Sequence, residues 1–119
     1  MQEQGTRIIT TEQQGAAVVE FMDRNILDEM NIAQLGEQLG ALADQGPRPR
    51  VILDFANVAH MSSSALGMLI TLHKRIKERH GQLRLCHIRP EIYEVFIITK
   101  LNEIFHIHDD RADALASFS

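Results

Sequence analysis

Two hydrophobic periods alternate along the chain, and each change of period predicts the start of a new element. Apolar positions recur at steps of three and four residues over 26–43 and over 64–80, and charged residues fill the positions between them. Both segments are therefore predicted to be amphipathic helices. Gly46 and Pro47 follow the first helix, and Gly81 is placed to end the second.

Short apolar runs separate these helices and predict strands. The run VILDF over 51–55 is almost uninterrupted, as expected of a central strand that is covered on both faces. Pro90 is tolerated in the first turn of a helix and predicts a third helix over 90–101. The other predicted elements are a strand that begins at 8–10, strands over 16–22, 82–88 and 104–107, and a terminal helix over 112–118.

The predicted order is β-β-α-β-α-β-α-β-α, which is typical of an α/β fold. The first two strands, broken at Gly15, form a hairpin. The last three are separated by single helices and should pair in parallel through right-handed crossovers. We expect a mixed sheet of about five strands with about four helices. The chain is predicted to be one domain over 1–119, with its core over about 7–118.

Composition narrows the classes of function. The formal net charge is −4 and the basic residues are scattered, so nucleic acid is not an expected partner. Arg48 and Arg50, which alternate with Pro47 and Pro49, are interpreted as a solvated turn. The single cysteine, Cys86, allows no intramolecular disulfide and indicates a reducing compartment.

The same composition bears on location. The start of the chain lacks the pattern of a signal peptide, and no segment reaches the ~20 apolar residues that a membrane helix needs. We therefore expect a cytoplasmic protein that does not insert into a membrane.

The stretch HMSSSALGML, residues 60–69, places three consecutive hydroxyls between a strand and a helix. A helix N-terminus needs a capping oxygen, which Ser62 or Ser63 can supply. Alternatively, one hydroxyl accepts a phosphate, whose charge of roughly −2 would lie at the positive end of the helix. A nucleophilic serine with His60 as its base is a third hypothesis. Because the Gly-x-Ser-x-Gly spacing of a hydrolase elbow is missing, we expect no enzyme.

From about residue 16 to its end, the chain resembles the STAS domains of bacterial anti-sigma factor antagonists. In that family a central strand ends in Leu-Asp-Leu or Leu-Asp-Phe. A loop with a valine then leads to Met-Asp-Ser-Ser/Thr-Gly-Leu-Gly at the start of a long helix. The matching residues here are Leu53, Asp54, Phe55, Val58, Met61, Ser63, Ser64, Leu66 and Gly67, followed by Ile88, Pro90, Leu101 and the run 104–107.

The resemblance implies a partner and a switch. The partner is an anti-sigma factor of the serine-kinase ATPase type, which the unphosphorylated domain binds and from which phosphorylation releases it. The family's phosphorylated serine corresponds to Ser63, with Ser62 and Ser64 as alternative acceptors, and an aspartate near that site corresponds to Asp23. The exposed face of the second helix adds further candidates. The expected partner-binding residues are Asp23, Met61, Ser62, Ser64, Met68, Thr71 and Arg75.

Two departures from the family matter, and the first of them favours an alternative. Ser62 stands where the family has aspartate, so the carboxylate beside the acceptor is lost, and Ala65 replaces a glycine. In the alternative hypothesis the domain is never phosphorylated. It would instead be a scaffold, or a subunit of a signalling or lipid/anion transport assembly.

The remaining candidate features carry plainer interpretations. His106 and His108 share one face of the last predicted strand, but they lack a clear third ligand and are interpreted as solvent-facing. We expect no metal and no cofactor. The apolar run 96–98 exceeds what one helix face can bury, which is compatible with a monomer or a weak homodimer.

Overall fold

The strands and helices follow the predicted order, with three short additions. The computed structural model describes residues 8–26 and 29–118. Its strands are β1 (Ile8–Gln13), β2 (Ala16–Phe21), β3 (Asn25–Ile26), β4 (Arg50–Asp54), β5 (His60–Met61), β6 (Gln82–Cys86) and β7 (His106–His108). Its helices are α1 (Glu29–Ala43), α2 (Ser63–Glu78), α3 (Pro90–Ile98), a 3-10 turn (Leu101–Glu103) and α4 (Arg111–Ala116).

The main sheet is mixed and has five strands in the order β1-β2-β4-β6-β7. Strands β1 and β2 pair as the antiparallel hairpin that the sequence predicts. The other three pairings, β2 with β4, β4 with β6 and β6 with β7, are parallel. The fold class and the parallel central strands expected from the sequence are therefore confirmed.

The central strands bury side chains on both faces of the sheet. In β4, Val51 and Leu53 belong to the larger apolar cluster, which α1, α2 and α3 cover. Ile52, between them, belongs to a smaller cluster on the opposite face, beneath α4. Because both faces of β4 are buried, its apolar residues do not alternate with polar ones.

The first helix starts later than the sequence predicts, because a short strand precedes it. Ile26, predicted to begin a helix, instead lies in β3, which pairs in parallel with β5 as a separate two-stranded sheet. Residues 27–28 lie outside the described residues, and α1 begins at Glu29. Met30, predicted on the apolar face of that helix, is 73% exposed.

The predicted third helix is also shorter than expected. It ends at Ile98 rather than at 101, because Lys100 adopts a left-handed backbone with φ 64° and a 3-10 turn follows. The last strand consequently starts at His106 rather than at 104.

Within 8–26 and 29–118, every helix is too short or too polar to cross a bilayer.

Candidate functional site

The three serines lie where α2 begins, and the first of them caps the helix. Ser62 has an extended backbone, with φ −85° and ψ 168°, and its hydroxyl accepts a hydrogen bond from the Ala65 N–H at 3.2 Å. Its own N–H donates to the Ile26 carbonyl at 3.0 Å, which ties the cap to β3. Of the two N-cap candidates, the structure therefore selects Ser62. A serine in place of the family's aspartate keeps this role, since both residue types are good N-caps.

Ser63 is the first residue of α2, and its side chain is exposed. Among the described residues its hydroxyl has no hydrogen-bond partner. The first turn of α2 contains no acidic residue. The Ser63 hydroxyl thus stands in solvent beside the positive end of a 16-residue helix.

Ala65, the other departure from the family motif, lies inside the helix and is fully buried. Its methyl group belongs to the core. The substitution therefore does not alter the exposed surface at the serines.

The small β3–β5 sheet brings the Asp23 loop to the serines. The Ala59 and His60 N–H groups both donate to the Arg24 carbonyl, at 2.7 and 3.1 Å. Asp23, the candidate from the first part of the chain, therefore lies in a loop joined to the segment that leads into α2. Such pairing of two-residue strands leaves no periodic signal in the sequence.

Four of the predicted partner-binding residues line an open groove between α1 and α2, with a volume of about 380 Å³. We call this the α1–α2 groove. Its α2 side is formed by Ser64, Gly67, Met68, Thr71, Leu72 and Arg75, and its α1 side by Ile32, Ala33, Gly36, Glu37 and Gly40.

Two glycines of α1 let the α2 side chains lie close. A Cβ on Gly36 would meet Met68 Cγ at 3.2 Å, and one on Gly40 would meet the Arg75 guanidinium at 2.5 Å. Sequence reasoning missed the α1 side of the groove. The available signal was two glycines four positions apart inside a helix, where each costs about 1 kcal/mol relative to alanine.

Arg75 lies at the end of the groove and is held by Asp44, the residue that follows α1. Its guanidinium forms an ion pair with Asp44, which also accepts from Arg79 Nε at 3.0 Å. The hydrogen bond from Arg75 holds the pKa of the Asp44 carboxyl below its ordinary value. Arg75 is therefore a positioned cation at the mouth of the groove.

Met61 lies on the other side of α2, so the predicted surface is divided. It lines a cavity of about 320 Å³ between α2 and α3, together with His60, Leu66, Ile92 and Val95. The structure places Ser64, Met68, Thr71 and Arg75 on one side of the helix and Met61 on the other, with Ser62 and Ser63 at the end that joins them.

A buried carboxylate, Asp54, ends β4 just before the loop that leads to the serines, and its side chain is 3% exposed. One oxygen accepts from the Ala56 N–H at 2.9 Å and from His87 Nδ1 at 3.0 Å. The other accepts from Arg111 at 2.7 Å. We call Asp54, His87 and Arg111 the carboxylate cluster.

The carboxylate cluster is held in its charged form. Burial raises the pKa of the Asp54 carboxyl, but the hydrogen bonds from Ala56, Arg111 and His87 outweigh burial, and the pKa lies below its ordinary value. The Asp motif that carries part of the family resemblance therefore anchors the loop before the serines to β6 and α4.

Two members of this cluster, together with Cys86, form a group of donors that could hold a metal ion. Ligand atoms of Asp54, Cys86 and His87 lie within 4.8 Å of one another. Burial, followed by the Asp54 charge, raises the pKa of the Cys86 thiol to about 12, so the thiol is protonated in the metal-free chain. Arg111 already occupies the second Asp54 oxygen, so the arrangement fits an ion-pair cluster better than a metal site.

Of the two histidines that the sequence places on the last strand, His106 is exposed and His108 is half-buried. The His73 ring packs edge-on against Phe105 with centroids 5.5 Å apart, and burial lowers the pKa of its imidazole. Asp110, which follows His106 and His108, accepts the Asp113 N–H at 2.8 Å and so caps α4.

A family model described as the STAS domain matches residues 7–114. The chain belongs to the STAS domain family. BtrV of Bordetella bronchiseptica, which bears the name of an anti-sigma factor antagonist, is 33% identical to this STAS chain over 95 residues. That alignment covers 80% of this chain and 81% of BtrV.

Solved structures share the STAS fold. An anti-sigma-factor antagonist (STAS) domain protein from Planctomyces limnophilus superposes with a TM-score of 0.85 at 24% identity, over 92% of this chain and 96% of that chain. The murine solute carrier 26 family member A9 anion transporter gives a TM-score of 0.74 at 17% identity, over 89% of this chain and 18% of that chain. At these identities the likeness concerns the fold.

Proposed function

We propose that this STAS protein is an anti-sigma factor antagonist that works by binding rather than by catalysis. In this proposal the unmodified chain binds an anti-sigma factor of the serine-kinase ATPase type in the cytoplasm, which frees the sigma factor. Phosphorylation of Ser63 by that ATPase ends the binding. The name and the extent of the match to BtrV support the general role.

The observation that carries the proposal is the position of the Ser63 hydroxyl. It is exposed at the amino end of α2, while its neighbour Ser62 already serves as the cap. A kinase can therefore modify Ser63 without removing a hydrogen bond on which the helix depends. Ser62 is a weaker candidate for phosphorylation, because its hydroxyl oxygen already accepts a hydrogen bond from the Ala65 N–H.

The helix end also accommodates the product. A phosphoserine carries about −1.5 to −2 charges at pH 7, and the unpaired N–H groups at a helix N-terminus favour such an anion. Since no acidic residue lies in the first turn of α2, its own helix does not oppose the phosphate. The fold can hold both states with little rearrangement.

The phosphate changes what can dock beside it. Ser64, next to Ser63, already lines the α1–α2 groove. A partner seated in that groove would have to desolvate the dianion or face it with its own charges. A penalty of 2 to 3 kcal/mol corresponds to roughly a thirty- to hundred-fold loss of affinity.

Intact-mass measurement after incubation with ATP and each serine-kinase-type ATPase of the source bacterium tests the modification. We expect one added phosphate on the wild type and on Ser62→Ala and Ser64→Ala, and none on Ser63→Ala. A phosphate that persists in Ser63→Ala contradicts the assignment of the acceptor.

Binding to the same ATPase tests the switch. We expect Ser63→Ala and the neutral, similarly sized Ser63→Gln to bind as the wild type does, and Ser63→Glu to bind at least ten-fold more weakly. Equal affinities for Gln and Glu variants would show that charge at this position does not control binding.

The fold shared with the solute carrier 26 transporter leaves a second candidate, a STAS subunit of a transport or signalling assembly that is never phosphorylated. It predicts no phosphate on any of the three serines and recovery of a transporter or scaffold protein by crosslinking in cells. The two candidates thus differ in a mass measurement.

A further inference from the structure

A cationic pocket lies at the opposite end of α2 from the serines. It has a volume of about 390 Å³ and is lined by Arg48, Arg50, His80 and Gln82. Arg50 and Gln82 begin β4 and β6 and pair with each other in the sheet register. Because α2 has 16 residues, about 24 Å of helix separates this pocket from Ser63.

The charge of the pocket contrasts with that of the whole chain, whose formal net charge is −4. Two of its four lining residues are arginines, and a third is a histidine. Arg48 forms no ion pair with the described residues. Arg50 is positioned by Phe118, with its guanidinium carbon 5.8 Å from the ring centroid. The Asp44 carboxylate is engaged by Arg75 and Arg79 and does not line the pocket.

The backbone beside the pocket is left-handed at two positions, and for arginine this conformation is rare. Arg48 has φ 54° and His80 has φ 60°, both left-handed. His80 directly follows the C-cap of α2, where a left-handed residue is common, so the unusual conformation is that of Arg48. Strain of this kind persists where the surrounding structure fixes it, and it is often found at binding sites.

The two walls of the pocket are joined rather than loose. The Arg48 N–H donates to the Arg79 carbonyl at 3.1 Å, and the Gln82 N–H donates to the Pro49 carbonyl at 2.8 Å. Gly81 allows the close approach, since a Cβ there would lie 2.7 Å from Pro49 Cγ. Backbone hydrogen bonds thus fix the segment that carries Arg48 against the segment that carries His80.

The carboxyl end of α2 would ordinarily repel an anion, but two carbonyls of its last turn already accept hydrogen bonds. The Ile76 carbonyl accepts from the Arg79 and Gly81 N–H groups, and the Lys77 carbonyl accepts from the His80 N–H. The Arg79 carbonyl accepts from Arg48, as described above. The Ile76, Lys77 and Arg79 carbonyls at this end of the helix are therefore already paired.

We propose that the cationic pocket binds the phosphate group of a phosphomonoester. Arg48 and Arg50 contact the phosphate oxygens, for which the planar guanidinium is well suited. His80 adds a ring N–H donor, and the Gln82 amide contacts the body of the ligand. The volume exceeds that of a bare phosphate, which favours a small phosphorylated molecule or a phosphomonoester lipid headgroup.

Amide chemical shifts of the ¹⁵N-labelled full chain, titrated with glycerol 3-phosphate against sodium chloride at equal ionic strength, test the pocket. We expect saturable shifts at Arg48, Arg50, His80 and Gln82 with the phosphomonoester, and only small, unsaturated shifts with chloride. Equal responses to the two salts would overturn the proposal.

Substitutions then assign the binding to the arginines. We expect Arg48→Gln and Arg50→Gln each to weaken glycerol 3-phosphate binding at least ten-fold. Lys74→Gln, which removes an exposed cation from the middle of α2, should leave it unchanged. Equal losses in Arg48→Gln and Lys74→Gln would mean that only the overall charge matters, which contradicts a defined pocket.

Vesicles distinguish the two sources of the phosphomonoester. Sedimentation of the wild type, but not of Arg48→Gln, with vesicles of phosphatidylcholine and phosphatidic acid would assign the pocket to a lipid headgroup. Saturable binding of glycerol 3-phosphate by protein that stays out of the vesicle pellet would assign it to a soluble ligand. Absence of both kinds of binding would overturn the proposal.

Discussion

Asp54 and Ser63 are two polar groups near the same edge of the sheet, and the fold treats them in opposite ways. The carboxylate of Asp54 is buried and accepts hydrogen bonds from Ala56, His87 and Arg111. The hydroxyl of Ser63 is exposed and has no partner among the residues of 8–26 and 29–118. Yet both belong to the motif by which the sequence resembles its family.

The contrast separates the structural part of the motif from the part that is available for recognition. Asp54 fixes the loop that precedes α2 by linking it to β6 and α4, which are distant in sequence. Ser62 fixes the first turn of α2. Ser63 is then presented in a defined position by its neighbours while contributing nothing to their bonding. Substitutions should therefore divide cleanly between stability and binding.

The largest expected effect is on stability, from Asp54→Ala. Removing the carboxylate leaves the His87 and Arg111 donors without their shared acceptor, and we expect the free energy of unfolding to fall by about 2 to 3 kcal/mol. Urea denaturation monitored by circular dichroism measures the loss. Asp44→Ala is the matched control, since Asp44 is also paired with two arginines but at the surface, and its effect should be much smaller. Similar losses would refute the special role of burial.

Acid should weaken the same cluster in the wild type. The pKa of Asp54 is below its ordinary value of 3.8 in the folded chain, so its contribution is complete above that value and is lost as the pH falls through the folded pKa. We expect stability measured by urea denaturation to drop below about pH 4. The drop should be smaller in Asp54→Asn, which keeps the shape without the charge. An unchanged pH profile in that variant would contradict this account.

Loss of the helix cap should have an intermediate effect. Ser62→Ala removes the acceptor of the Ala65 N–H, and we expect a loss of about 1 kcal/mol in the free energy of unfolding. Ser62→Asp, which restores the family's residue, should be at least as stable as the wild type because aspartate is also a good N-cap. A stable Ser62→Ala variant would show that the cap is dispensable.

The smallest effect on stability is expected from Ser63→Ala. With no hydrogen bond to lose among the described residues, the free energy of unfolding should change by less than about 0.5 kcal/mol. Thermal denaturation beside Ser62→Ala provides the comparison. A loss as large as that of Ser62→Ala would place Ser63 in the structural part of the motif after all.

Sequence patterns were sufficient for elements long enough to show a consistent pattern of burial. The apolar run identifies β4 because this strand is buried on both faces, and the helical period identifies α2 because this helix is buried on one. The break at Gly15 between two apolar runs likewise located the turn between β1 and β2. The two-residue strands β3 and β5 could not be found, because a pair of residues has no period and their pairing depends on the folded loops.

The candidate site was predictable where it is local and not where it is tertiary. The N-cap of α2 is a local feature, and the sequence left only Ser62 and Ser63 as candidates for it. The partners of Asp54 come from β6's end and from α4, and nothing in the local sequence links them. The α1 side of the groove and the cationic pocket were missed likewise. Arg48 and Arg50 looked like a solvated turn until His80 was placed beside them.

The contact between Gly40 and Arg75 has an evolutionary consequence. An alanine at position 40 would improve the helix by about 1 kcal/mol, yet its methyl group would push the guanidinium away from its place at the groove. One added carbon would thereby relocate a full positive charge on the surface that we assign to partner recognition. Selection for a more stable α1 would favour alanine at position 40, whereas selection for partner recognition would keep glycine.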